Sequence, residues 1–173
     1  MKFTELNQDQ QALLRWILAG LQIKEVRALH GDAKYLLSNM IAKFSLSSST
    51  YRLSKDAELR LRSNGVDLAK IHKRAHFYGK GSPFIYEHAV PCALVRQQLL
   101  SVRPTLQAVK KVLVSSGPVI MVLRTEDTVL RNYGLMRSMP DGWSWGDNPL
   151  ARYRATGINI SRTLLKVDGQ IER

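Results

Sequence analysis

Cysteine is nearly absent from this sequence, in which Cys92 is the one cysteine among 173 residues. A single cysteine cannot close an internal disulfide, so a disulfide-stapled secreted domain is excluded and a reducing, cytoplasmic environment is expected. The neighbours of Cys92 are Pro91 and Ala93, followed by Leu94. These neighbours favour a small buried hydrophobic side chain over a nucleophile. Long apolar runs are also lacking, because none approaches the roughly 20 residues that a bilayer span needs.

Acidic residues are scarce as well. The chain has 14 Asp and Glu against 26 Lys and Arg, which gives a formal net charge of +12 and a pI near 10.1. Such an excess does not help a chain to fold, and it is typical of proteins that bind a polyanion, with nucleic acid as the first candidate. A membrane surface is the second candidate. The most apolar predicted helix, Asp9 to Gln22, carries only Arg15 as a basic residue, which argues against a membrane-surface helix.

The spacing of apolar residues predicts an α+β fold. Asn7 and Gln10 form a capping box before a helix whose apolar stripe, including Trp16, is expected to lie in the core. Three later segments favour strands: Phe84–Tyr86, the continuous apolar run Pro118–Leu123 and the tail Ile158–Ser161. We therefore predict a helix-dominated α+β chain with N-terminal helices followed by a small two- or three-stranded sheet with helices.

The length is that of one ordinary domain, so residues 1–173 are predicted to form a single domain. Within it, an N-terminal helical subdomain could cover residues 1–80 and an α+β subdomain residues 81–173.

The segment Glu87-His88-Ala89-Val90-Pro91 carries the strongest local signal for chemistry. A carboxylate beside an imidazole at a strand end can divide two tasks, with one group holding a divalent cation and the other accepting a proton from water. The segment resembles the opening of the HNH, or ββα-metal, nuclease motif. The resemblance implies that Glu87 is a metal ligand, that His88 is the general base and that Mg²⁺ or another divalent cation is the cofactor. The alternative is a structural histidine that hydrogen-bonds a backbone carbonyl.

The HNH family has an Asn and usually a second His further along its motif, whereas residues 89–131 of this chain contain neither. Glu126 and Asp127 follow the predicted buried strand, where a carboxylate can point into a cleft, and Asp127 is the candidate second metal ligand. The alternative is that both acids lie in the first turn of a helix only because carboxylates there interact favourably with the positive end of the helix macrodipole.

The stretch from Arg52 to Lys80 holds eight Lys or Arg against three Asp or Glu. We predict a helix from Asp67 through His76, which would place His72 and His76 on one face. These histidines could bind a metal or cleave RNA without one, but a phosphate-contacting face is the preferred interpretation. The predicted nucleic-acid-binding residues of this stretch are Lys70, His72, Lys73, Arg74, His76 and Lys80.

A later cluster mixes aromatic rings with guanidinium groups, as stacking on unpaired bases requires. Its predicted nucleic-acid-binding members are Trp145, Arg152 and Arg154. The alternative is that Trp143 and Trp145 close the core beneath a long loop.

Three hypotheses follow. The first is a nucleic-acid-binding metal-dependent endonuclease of restriction, phage-defence or intracellular-toxin type. The second is a non-catalytic DNA- or RNA-binding regulator, or a subunit of a larger nucleoprotein complex. The third is a basic protein that neutralises an acidic protein partner.

Overall fold

The computed structural model describes residues 6–28 and 32–168, which form an α+β fold with eight α-helices and a five-stranded mixed sheet. The helices are α1 (Gln8–Gln22), α2 (Lys24–Arg27), α3 (Asp32–Leu46), α4 (Lys55–Ser63), α5 (Cys92–Ser101), α6 (Leu106–Ser115), α7 (Arg124–Asn132) and α8 (Ala151–Ala155). The strands are β1 (Thr50–Ser54), β2 (Ile71–Lys73), β3 (Phe84–His88), β4 (Val119–Leu123) and β5 (Ile160–Asp168), and a short 3-10 helix covers Arg74–Phe77.

The strand order in the sheet is β2-β5-β1-β4-β3. The pairs β1–β4 and β2–β5 are parallel, whereas β1–β5 and β3–β4 are antiparallel. The central strands β1 and β4 are largely buried, which explains the continuous hydrophobicity of β4. The prediction of two or three strands is therefore wrong, while the helix-dominated α+β class is confirmed.

Both of the additional strands depend on pairing with distant parts of the chain. β1 pairs with β4 and β5, although no strand was predicted in that segment. The expected helix from Asp67 through His76 is wrong, because β2 and the 3-10 helix occupy most of it. β2 is a three-residue edge strand held by its ladder with β5, and such non-local pairing leaves little signal in the local sequence.

The helices α1, α3, α5 and α6 form a layer with its own apolar core, which includes Leu14, Ile17 and Leu99. The predicted capping box of α1 is confirmed, since Asn7 Oδ1 accepts a hydrogen bond from Gln10 N at 2.9 Å and Asn7 N donates to Gln10 Oε1 at 3.4 Å. Trp16 departs from the expected core stripe and is 72% exposed. Leu14 points inward in its place, so the buried face of α1 is rotated from the predicted one.

Two apolar clusters pack on opposite faces of the sheet. One lies beneath α4 and includes Tyr51 and Leu53 of β1. The other includes Ile120 and Val122 of β4 and is covered by α7 and α8 through Leu130 and Tyr153. Side chains alternate between the two faces along each strand, and this alternation determines which functional candidates meet.

The sheet crosses the boundary suggested at residues 80 and 81. Strands β1 and β2 lie before it and pair with β4 and β5, which lie after it. None of the helices in the described ranges has the length and apolar character that crossing a membrane requires.

Candidate functional site

Arg152 of α8 is the most buried charged residue of the described chain, with 1% of its surface exposed. Its Nη2 donates to Glu87 Oε2 at 2.7 Å and to the carbonyl of His88. Its Nη1 donates to the carbonyl oxygens of Leu135 and Met136 at 3.0 and 3.3 Å. Both Nη atoms are therefore occupied inside the fold, while Nε is buried without a hydrogen-bond partner among the described residues. The group does not reach the surface, although Arg152 was expected to contact phosphate.

Glu87 lies on the sheet face that α7 and α8 cover, opposite Ile120 of β4. Burial raises the pKa of this carboxyl above its ordinary value, the Arg152 cation opposes the rise, and the nearby Asp127 carboxylate adds to it. Asp127 lies in the first turn of α7 and accepts a hydrogen bond from Arg131 Nη2 at 3.3 Å. The two predicted metal ligands are thus close enough to interact electrostatically, and each faces a guanidinium group.

A divalent cation would have to compete with those guanidinium groups for Glu87 and Asp127. In the part of the chain that the structure describes, no group of three or more His, Cys, Asp and Glu side chains is arranged to hold a metal ion. Glu126, the other acid of the first turn, is used structurally. It accepts hydrogen bonds from Ser54 Oγ at 2.6 Å and from the backbone N–H of Leu123 at 2.8 Å.

His88 is the neighbour of Glu87 on β3, so strand geometry directs the two side chains to opposite faces of the sheet. His88 pairs with Val119, which belongs to the cluster beneath α4. Burial, reinforced by the Arg152 charge, lowers the pKa of the imidazole to about 4. The ring is therefore neutral at pH 7, as a general base requires, but it does not share a face with Glu87 and Asp127.

Cys92 begins α5 and packs against the apolar core of the helical layer. Burial raises the pKa of its thiol to about 11, and the Glu87 carboxylate adds to the effect. A thiol with so high a pKa is a poor nucleophile at neutral pH, which agrees with the expected structural role.

A second candidate region is the surface of β1, β2 and β5 that none of the described helices covers, here called the open face. In the strand register Ile71 lies beside Lys166, and Arg52 lies beside Leu164. The exposed fractions of Ile71 and Leu164 are 71% and 45%. The open face consists of Arg52, Ile71, Lys73, Arg162, Leu164 and Lys166, with Asp168 beside Lys73. The open face thus carries four basic side chains around two exposed apolar ones, and only one acidic side chain among the residues named.

The predicted basic stretch divides between different environments. Lys73 lies on the open face and Lys70 is an exposed residue just before β2. His72 points to the other face, where its ring packs edge-on against Phe77 at 5.5 Å between centroids. His76 also contacts Phe77, at 6.5 Å, so the two rings meet one phenyl group even though they share no helix face.

Arg74 is half-buried, and its Nη1 donates to the carbonyl of Leu46 at 3.0 Å. Lys80 is exposed in the loop before β3, and Arg154 is exposed on α8. Trp145 is half-buried and packs edge-on against Trp143 at 5.9 Å between centroids. Both indoles also pack against the helical core, as the alternative interpretation of these tryptophans expected.

The open-face residues Arg52, Arg162 and Lys166 were not named from the sequence. The available signal was the alternation of apolar and polar residues at positions 165–168, which is typical of a strand with one solvated face. The position of β5 between β1 and β2 could not be inferred, because it depends on pairings between residues 95 to 116 positions apart.

No family model, curated protein sequence or solved structure matches this chain. Functional arguments therefore depend on its own residues.

Proposed function

We propose that this protein binds nucleic acid through the open face of its sheet. The observation that carries the proposal is the set of four basic side chains, the half-buried Arg52 and the exposed Lys73, Arg162 and Lys166, on adjacent strands of a surface that no described helix covers. Basic side chains on a common surface neutralise neighbouring phosphates and release their counterions, which is the main source of sequence-independent affinity. The net charge of +12 adds a long-range attraction to any polyanion.

This proposal corresponds to a non-catalytic DNA- or RNA-binding protein, either a regulator or a subunit of a larger nucleoprotein complex. It is favoured over the nuclease because binding needs only the exposed charges. Catalysis by the predicted residues would need Glu87 and Asp127 released from their guanidinium partners, and a base on their side of the sheet.

The test compares Arg162→Gln/Lys166→Gln with Lys34→Gln/Lys43→Gln, a control pair exposed on α3 with the same loss of net charge. Binding of single-stranded and duplex oligonucleotides is measured by fluorescence anisotropy over a range of NaCl concentrations. The open-face variant should lose about tenfold in affinity at low salt, and its salt slope should become shallower by about two units, one for each lost phosphate contact. Equal losses in both variants would show that net charge alone attracts the ligand and would refute the open face as the binding surface.

A metal-dependent endonuclease remains a second candidate because the Asp127 carboxylate lies close enough to Glu87 to contribute to its raised pKa. The wild-type protein and the variants Asp127→Asn and His88→Ala would each be incubated with DNA and with RNA in the presence of Mg²⁺, Mn²⁺ or EDTA. Metal-dependent cleavage that disappears in Asp127→Asn would support this candidate and locate the ligand. Binding without cleavage under all three conditions would refute the nuclease and support the non-catalytic binding protein.

A further inference from the structure

A cleft of about 390 Å³ opens on the other side of the sheet from the open face, between the end of α4 and the chain that leads into β3. Its volume is at the lower end of the range for small-ligand pockets. The floor is apolar and aromatic, with Leu61, Phe77 and Phe84 all buried. The phenyl rings of Phe77 and Phe84 meet edge-on, with centroids 6.2 Å apart. Leu61 is fully buried, so the surface that the floor offers to a planar apolar ligand comes from Phe77 and Phe84, which are 6% and 5% exposed.

The rim of the cleft is polar and cationic. Asn64, His76 and Lys80 line it, and all three are exposed. An Asn amide presents a donor and an acceptor side by side, which matches the edge of a nucleobase. Lys80 and His76 supply donors that suit a phosphate. An apolar floor with an amide and two nitrogen donors at its rim matches a base with its backbone phosphate better than a purely apolar ligand.

The loop that forms one wall is held by Arg124, at the start of α7. Its Nε donates to the carbonyl of Ser82 at 2.6 Å, and its backbone N–H donates to that of Pro83 at 2.8 Å. Gly79 and Gly81 have φ values of +135° and +88°, which residues with a side chain rarely adopt. The wall is therefore a defined structure, with Lys80 presented between two glycines.

The cleft is adjacent to the proposed binding surface along the chain. Lys73 of the open face and His76 of the rim are three residues apart, so their Cα atoms are separated by at most about 10 Å. From the floor, Phe77 contacts His72 of β2, the strand that forms this edge of the sheet. A strand of nucleic acid lying on the open face could therefore pass over the β2 edge and reach the cleft within a few nucleotides.

From these observations we infer that the cleft receives one unpaired nucleobase, with its phosphate near Lys80 and His76. The inference rests on the proposed nucleic-acid binding and adds its substrate class, which is single-stranded nucleic acid. A duplex has its bases stacked and paired, so it cannot fill the cleft unless a base is extruded at a cost of a few kcal/mol. The same protein should therefore bind single strands more tightly than duplexes of equal length.

The test uses the full chain and an oligonucleotide that carries 2-aminopurine, whose fluorescence depends on base stacking, in single-stranded and duplex form. The variant Asn64→Ala/Lys80→Gln removes two rim groups at exposed positions, where little effect on folding is expected. Lys43→Gln, exposed on α3 and outside the cleft, is the control with the same loss of charge. Circular dichroism and thermal unfolding verify that each variant is folded.

The rim variant should lose about tenfold in affinity for the single strand, within the range for one lost base contact, with much less change for the duplex. It should also lose the saturable 2-aminopurine signal, while Lys43→Gln retains it. Equal weakening for single strand and duplex, or no weakening, would overturn the base-binding cleft. If Arg162→Gln/Lys166→Gln still lowered affinity in that case, the open face would stand without the cleft. A wild-type protein that bound neither form would overturn both proposals.

Discussion

Arg152 and Glu87 lie 65 positions apart in the sequence, and their ion pair joins α8 to the end of β3. Glu87 retains 18% side-chain exposure, whereas Arg152 is fully enclosed. Removal of one partner from a buried pair leaves the other charge without compensation, which typically costs about 3–5 kcal/mol. The pair was not foreseen from the sequence, because neither residue has a local pattern that predicts its partner.

Glu87→Gln should lower the free energy of unfolding by roughly 3 kcal/mol, because Arg152 would keep its charge in a buried setting. Urea unfolding monitored by circular dichroism measures the change. Arg62→Gln serves as the control, since Arg62 forms an exposed pair with Glu58 and its loss should cost less than about 1 kcal/mol. If Glu87→Gln lowered the free energy of unfolding by as little as the control does, the Arg152–Glu87 pair would be solvated in solution.

The buried imidazole of His88 predicts acid sensitivity. Its pKa is about 4 in the folded protein, below the ordinary 6.5, so the unfolded chain binds the proton first as the pH falls. The stability that His88 contributes is complete above pH 6.5 and is lost as the pH falls toward 4, with a total of about 3 kcal/mol. In His88→Gln, the decline in urea-unfolding free energy between pH 7 and pH 4 should be smaller by this amount. An unchanged decline would show that His88 does not drive it.

At the scale of elements, the junction of α6 and β4 is tightly packed around Gly117. Gly117 has a φ of +83°, and a Cβ atom there would lie 2.8 Å from Ala89 Cβ and 2.8 Å from Pro149 Cβ. Gly65 after α4 has a similar φ of +74° but open space around it. Comparing substitutions at the two positions therefore distinguishes the cost of backbone conformation from the cost of steric overlap.

Gly65→Ala should lower the free energy of unfolding by about 1 kcal/mol through backbone strain alone. Gly117→Ala should cost at least about 2 kcal/mol more, because overlap in a packed site is added to the strain. Urea unfolding of both variants gives the comparison. Equal costs would contradict the close approach of Ala89 and Pro149 to Gly117.

The elements also show where sequence reasoning succeeds. α1 and β4 were predicted because a capping box and a continuous apolar run are local patterns. β2 was mistaken for helix because Ile71-His72-Lys73 is short and mostly exposed, so only its ladder with β5 defines it. In the same way Glu87, His88 and Asp127 were chosen by residue type, but pairing across the sheet determines which of them share a face.

For the whole molecule, the charge excess has consequences for stability as well as binding. Like charges on a compact surface repel one another, and salt screens exposed charges beyond about 10 Å at 0.1 M. Thermal unfolding at 20 and 300 mM NaCl should show the melting temperature rising by about 2–4 °C at the higher salt, equivalent to roughly 1 kcal/mol. A fall would mean that attractive pairs such as Arg62–Glu58 outweigh the repulsion.

The single cysteine gives this protein a built-in reporter of local opening. Cys92 lies where the helical layer meets the end of β3, and its high thiol pKa makes reaction with a thiol reagent slow while that junction is closed. Labelling would then follow transient separation of α5 from the sheet, so its rate would report the free energy of that local motion. The measurement needs no engineered label, since no other thiol in the chain competes.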